Sequence, residues 1–212
     1  MWLLWREPAT WLDVSYLKTP LGAAVGDVLA FVLIAGGVAM LIPRTTRAAT
    51  LAVGSAVLAL ALGCLPAIAA APGSYPPYIG FFEILAPVCA AFTLVLPRAS
   101  RIGLGICTVS FTGAQIYYFA YTAKLVPVWL PPSQDFWAAF TTVAFGLAAI
   151  AILINRQAAL AMRLTALMIA LFGLLVWVPI LAAHPEKHYD WSEFVLNYLI
   201  AGAVWFTSTK SR

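Results

Sequence analysis

The chain has 212 residues, 63% of them apolar and 9% charged, with a mean hydropathy of +0.94. Soluble domains carry about 25% charged residues, so this composition excludes a water-soluble globule and points to one all-α, polytopic membrane domain over residues 1–212. The net charge of +4 does not signal nucleic acid, because the basic residues follow the rhythm of a chain threaded through a bilayer.

The first 19 residues are Trp-rich and interrupted by Arg6, Glu7, Pro8 and Asp13. They lack the basic start, apolar run and small-residue cleavage site of a signal peptide. They read as an outer interfacial segment anchored by Trp11 and Tyr16. Seven apolar segments follow, at about 20–42, 48–71, 80–97, 102–125, 135–154, 160–183 and 191–209. Each is long enough to cross about 30 Å of hydrocarbon as a helix. None alternates apolar and polar residues, so a barrel is excluded. Pro66, Pro87 and Pro179 fall inside segments and predict kinks.

The gaps decide the threading. Arg44 and Arg47, Arg98 and Arg101, Arg156 and Arg163, and Lys210 and Arg212 occupy every second gap. Eight basic residues thus collect on one side, against Arg6, Lys18, Lys124 and Lys187 on the other. Cytoplasmic loops collect Lys and Arg, which predicts an inner-membrane protein with its N-terminus outside and its C-terminus in the cytoplasm. Tyr75, Tyr78, Trp129, Trp137, Tyr189 and Trp191 then fall at the outer interface, where aromatic belts form. A shift of 113 positions sets Leu65-Pro66 on Val178-Pro179, and a shift of 110 sets Phe81-Phe82-Glu83 on Trp191-Ser192-Glu193. This suggests a parallel repeat in which helices 1–3 (residues 20–97) correspond to helices 5–7. Chance similarity between apolar helices is the competing explanation.

Ionisable groups in a span cost about 2.5–3.5 kcal/mol on insertion scales and mark function by default. Asp27 and Glu83 are two such acids, both in the outer third of this threading. Thr112, Gln115 and Tyr118 share a face of segment 4, Thr141 lies in segment 5, and Glu193 and Asn197 lie four apart in segment 7. An outward-facing cavity ringed by these eight residues is one reading. Interhelical hydrogen bonding, worth about 0.6 kcal/mol each, is the other. His184 and His188 lie four apart, but Pro185 spoils a helical metal pair, and no metal site is expected. Cys64, Cys89 and Cys107 lie in apolar runs without a Cys-x-x-Cys and read as small buried hydrophobes. Gly103 and Gly105 read as points of close helix approach. No motif for a haem, a redox disulfide or a nucleotide is present, so the cofactor is left unknown.

Residues Gly113-Ala-Gln115, Ala120-Tyr-Thr-Ala123, Leu125-Val-Pro-Val-Trp-Leu-Pro-Pro132, Phe136-Trp137, Leu174-Leu-Val-Trp-Val-Pro179, Trp191-Ser-Glu193 and Asn197 carry a resemblance. Over about residues 110–209, within a half that runs 102–209, the chain resembles the DoxX-like family of small bacterial membrane proteins. The family takes its name from a subunit of a thiosulfate:quinone oxidoreductase, so the resemblance implies membrane redox work or quinone association. Two family histidines are replaced here by Ile116 and Trp177, which lowers the expectation of redox chemistry. Three functions follow. The first is an accessory subunit of a membrane redox or envelope complex, with a membrane protein or a second copy as partner. The second is a quinone- or lipid-binding oxidoreductase subunit. The third is a small-solute or proton-linked transporter.

Overall fold

The computed structural model describes residues 20–210, and these are built from helices alone. The expected interfacial segment 1–19 and its anchors lie outside the described residues. In chain order the helices are α1 (Pro20–Met40), α2 (Thr46–Leu62), α3 (Leu65–Ala70), α4 (Pro76–Phe92), α5 (Pro97–Tyr117), α6 (Phe119–Leu125), α7 (Gln134–Leu153), α8 (Ala158–Phe172), a π-helical turn (Gly173–Trp177), α9 (Val178–Ala183) and α10 (His188–Lys210).

Three stretches are long and apolar enough to cross a membrane: Thr46–Ala70, Gln134–Leu153 and Ala158–Ala183. The bent pair α5–α6 makes a fourth if taken as one span. Segment 4 is therefore not the straight crossing expected from its composition. The chain turns through 89° between Tyr117 and Phe119, and α6 continues at right angles to α5. Pro66 and Pro179 do fall where their spans are irregular: Pro66 follows the turn at residues 63–64 inside Thr46–Ala70, and Pro179 follows the π-helical turn inside Ala158–Ala183. Pro87 does lie inside α4.

Helices α4, α5, α7, α8 and α10 close a ring, each packed on the next, and α10 returns to α4. Helix α2 packs outside α4, and α1 packs on α2. The core of the ring joins Leu104, Cys107, Phe145, Ile152, Met162, Leu196 and Val204. Small residues let the helices approach. A Cβ on Gly103 would stand 2.5 Å from the Cys89 sulfur, and one on Gly105 2.6 Å from Leu153, well inside ordinary contact. Both glycines therefore fill the close-packing role read from the sequence. Cys64 and Cys107 are buried, as expected of small hydrophobes.

The two ends of the bundle differ in composition. Arg44 and Arg156 lie in the turns joining α1 to α2 and α7 to α8, Arg47 follows at the start of α2, Arg98 and Arg101 at the start of α5, and Lys210 ends α10. This is the arginine end. The connections after α3, α6 and α9 lie at the other end, where Lys124 and Lys187 are the described lysines. Two indoles pin these connections. Trp137 Nε1 donates to the Pro131 carbonyl at 2.9 Å, and Trp191 Nε1 donates to the Pro185 carbonyl at 3.0 Å. Ser133 caps α7 by accepting from the Phe136 amide.

The breaks in the two halves also fall in register. Helices α3 and α9 are both six residues long and begin 113 positions apart. Their C-terminal caps share one conformation, φ −140 and ψ 64 at Ala71 against φ −137 and ψ 60 at His184. The ends of α1 and α7, Met40 and Leu153, are likewise 113 apart.

Candidate ligand-binding site

A cavity of about 840 Å³ opens between α7 and α8. It falls within the ~300–1,000 Å³ of small-molecule sites. Its walls are mostly apolar, and its polar residues gather towards the end away from the arginines. Glu83 on α4, Gln115 on α5, Thr122 on α6, Trp137 and Thr141 on α7, and Glu193 and Asn197 on α10 line that end. Beyond them the lining runs through Ala144, Ala148 and Ala151 on α7 and along α8 from Phe172 back to Leu160. Only Thr165 and Gln157 interrupt it with polar atoms. The Thr165 hydroxyl is buried without a hydrogen-bond partner.

The cavity also opens sideways. Phe140, Leu147, Leu164, Leu167 and Leu171 line it and are exposed on the bundle surface. The α8 wall with its π-helical continuation, from Leu160 to Trp177, covers about 26 Å at 1.5 Å per residue. That approaches the ~30 Å of a hydrocarbon core. The shape is a groove along the helices with a polar head.

Local structure explains why these groups meet. Glu83 and Glu193 come from α4 and α10, which pack directly on each other, and each acid lies within the other's electrostatic reach. Glu193 also lies within hydrogen-bond reach of the Tyr189 hydroxyl. Asn197, one turn further on, donates from Nδ2 to the Glu193 carbonyl at 3.0 Å. Gln115 is 9% exposed, and its side-chain Oε1 lies 3.0 Å from both the Thr141 and Thr142 hydroxyls. The π-helical turn inserts its widened backbone beside this cluster and directs Leu175, Val176 and Trp177 into the cavity. Gly173 at its start makes room for Tyr198, whose ring would stand 2.7 Å from an added Cβ.

Five of the eight residues proposed from sequence thus share one cavity: Glu83, Gln115, Thr141, Glu193 and Asn197. Three do not line it. Thr112 donates back to the Thr108 carbonyl at 3.0 Å and lies beside Gly146 of α7. Tyr118 sits at the 89° bend and is exposed, its ring edge-on to Tyr117. Asp27 belongs to α1, which packs on α2 at the rim of the ring. Sequence reasoning missed Phe111 and Trp177 as lining residues, while Thr122, read on the Gln115 face, does line the cavity. Thr122 reaches the cavity because the bend carries α6 across its mouth. His184 and Glu186 form an exposed loop contact of 3.7 Å.

Comparison with known proteins adds no relative: no family model, curated protein or solved structure matches the chain.

Proposed function

We propose that the chain is an integral membrane protein that binds a long-chain amphiphile, its polar head beside Glu83, Gln115, Glu193 and Asn197 and its chain in the α7–α8 groove. The observation that carries this reading is the continuity of one cavity from a polar pocket to a laterally open apolar channel. A small water-soluble ligand has no use for the channel. A purely structural hydrogen-bond cluster has no use for the cavity.

In this reading the bundle crosses the bilayer seven times, with the arginine end in the cytoplasm and the polar pocket towards the outer face. Positive loops alternating with uncharged or mixed ones support that orientation. The bend after Tyr117 lays α6 along the outer interface, where exposed Tyr117, Tyr118, Tyr121 and Trp129 suit the headgroup layer. The matching breaks at α3 and α9 support a parallel repeat about an axis along the membrane normal. Glu83 and Glu193 match under the other shift, of 110 positions, that the sequence offers.

The DoxX-like resemblance adds a redox or envelope partner, and a quinone is one amphiphile of the right shape. An accessory role alone leaves the cavity unexplained. Transport of a polar solute is disfavoured because the channel towards the arginine end is apolar apart from Thr165 and Gln157.

Mass spectrometry of lipophiles co-purifying with the chain from native membranes tests the proposal. One amphiphile should be enriched over bulk lipid and lost when Ala148→Trp fills the groove. A lipid profile equal to that of the surrounding membrane in both proteins would refute it.

A further inference from the structure

A proton count at the polar end of the cavity narrows the head group. The Thr141 and Thr142 hydroxyls each stand 3.0 Å from the Gln115 amide. Thr141 also stands 2.9 Å from the Trp137 carbonyl, and Thr142 2.7 Å from the Ala138 carbonyl, both one turn back on α7. A hydroxyl has one proton to give, and a threonine within a helix gives it to the carbonyl four residues back. Both hydroxyls therefore offer Gln115 lone pairs only. The amide end that satisfies two lone pairs is the NH2, with its two protons. The structure sets Oε1 towards the two hydroxyls; oxygen and nitrogen of an amide are assigned from such networks, and the proton count instead sets the nitrogen there. The Gln115 oxygen is then the end that faces the cavity, on a side chain that is 9% exposed and lacks a further protein partner among the described residues.

The same count holds for its neighbours. Asn197 donates to the Glu193 carbonyl, which leaves its Oδ1 as an acceptor. Glu83 and Glu193 have no basic partner among the described residues. The described lysines at this end, Lys124 and Lys187, are exposed and do not line the cavity. The indole proton of Trp137 is already given to Pro131. The pocket is thus rich in oxygen acceptors, carries the only carboxyl groups among the lining residues, and has no cation of its own.

We infer that the head group is a protonated amine, held by the carboxylates of Glu83 and Glu193 and the Gln115 oxygen. The inference rests on the amphiphile reading above and names its chemical class. An ammonium has three donors and no acceptor, the complement of this pocket. It also supplies the charge that two acids lack when they are shut away from water. Phe111 and Trp137 also line the cavity, and aromatic rings near a cation favour it further. A quinone, ester or phosphate head brings acceptors to a site that already has them.

Equilibrium binding to the full chain in maltoside micelles tests this with four probes of equal chain length: an alkylamine, an alcohol, a carboxylic acid and a quinone carrying an alkyl chain. The amine should bind saturably and at least about tenfold more tightly than the others, a gap of one decade in Kd. The double variant Glu83→Gln, Glu193→Gln should lose at least about tenfold for the amine and little for the alcohol. Gln115→Leu should weaken amine binding less, and Ala148→Trp should block every probe. If the alcohol or quinone binds as tightly as the amine, or the double variant leaves the amine unchanged, the ammonium assignment fails and the groove stands. If no probe binds saturably to the wild-type chain, the assignment and the groove fail together.

Discussion

The two ends of the bundle use similar polar residues to opposite effect. At the arginine end Thr93, Arg101, Thr207 and Ser208 turn their hydrogen bonds onto the protein itself. Thr93 and Thr207 meet across α4 and α10 at 3.2 Å, both fully buried, and each also lies 3.1 Å from a carbonyl of its own helix. Arg101 donates to the carbonyls of Ile152 and Leu153, which end α7; Ile152 also accepts from the Asn155 amide, whereas Leu153 has no backbone donor among the described residues. Ser208 donates to the Trp205 carbonyl at 2.6 Å. At the other end Gln115, Glu193 and Asn197 use part of their capacity on the protein and turn the remainder into a cavity. In the proposed function the first kind are structural and the second are binding groups that share a void; the Thr165 hydroxyl, buried without a hydrogen-bond partner among the described residues, belongs with the second.

This contrast can be broken or sharpened by substitution, with stability read from unfolding of the purified chain in detergent. The largest effect is expected at the arginine end. Arg101→Ala leaves the helix-terminal Leu153 carbonyl without its donor and should destabilise by about 1–3 kcal/mol. Glu83→Gln should act in the opposite sense. It removes an acid with no basic partner among the described residues, placed by the threading in the outer third of its span, short of the bilayer centre where such a group costs most, so the variant should unfold at a slightly higher temperature while losing ligand. Stability gained at the expense of function is the usual mark of a binding residue. Thr93→Val should cost about 0.6 kcal/mol, and a double-mutant cycle with Thr207→Val should recover most of that as coupling. Gln115→Leu should be smallest in stability, under about 0.6 kcal/mol, and yet reduce binding. If Gln115→Leu instead destabilises as much as Arg101→Ala, the two ends are alike and the contrast is lost.

Much of this was legible in the residues, for identifiable reasons. Helix positions followed from uninterrupted apolar runs, and the arginine end followed from Arg44, Arg98 and Arg156 alternating with gaps of mixed or no charge. Glu83, Gln115, Thr141, Glu193 and Asn197 could be grouped because depth along a helix is readable at 1.5 Å per residue. Asp27 shared that depth, but depth does not say which helices are neighbours, and α1 packs at the rim. The bend at Tyr118 was missed because Tyr117-Tyr-Phe-Ala-Tyr121 holds neither Pro nor Gly. Its crowd of aromatic residues was the available signal, since such rings prefer the interface to the hydrocarbon. That bend removes Tyr118 from the face it was expected to share with Gln115. The groove itself was invisible in sequence. Leu147 and Leu164 have the composition of any lipid-facing leucine, and only the packing of α7 on α8 leaves space between them.

The account's central claim is that the carboxylates and the groove form one site. Photolabelling tests it most directly, with a long-chain amine that carries a diazirine at the middle of its chain. Peptide mapping should place the label on α7 and α8, between Leu147 and Leu171, and the label should disappear in the Glu83→Gln, Glu193→Gln variant. Equal labelling of the exposed face of α1, or α7–α8 labelling that survives loss of both acids, would contradict it.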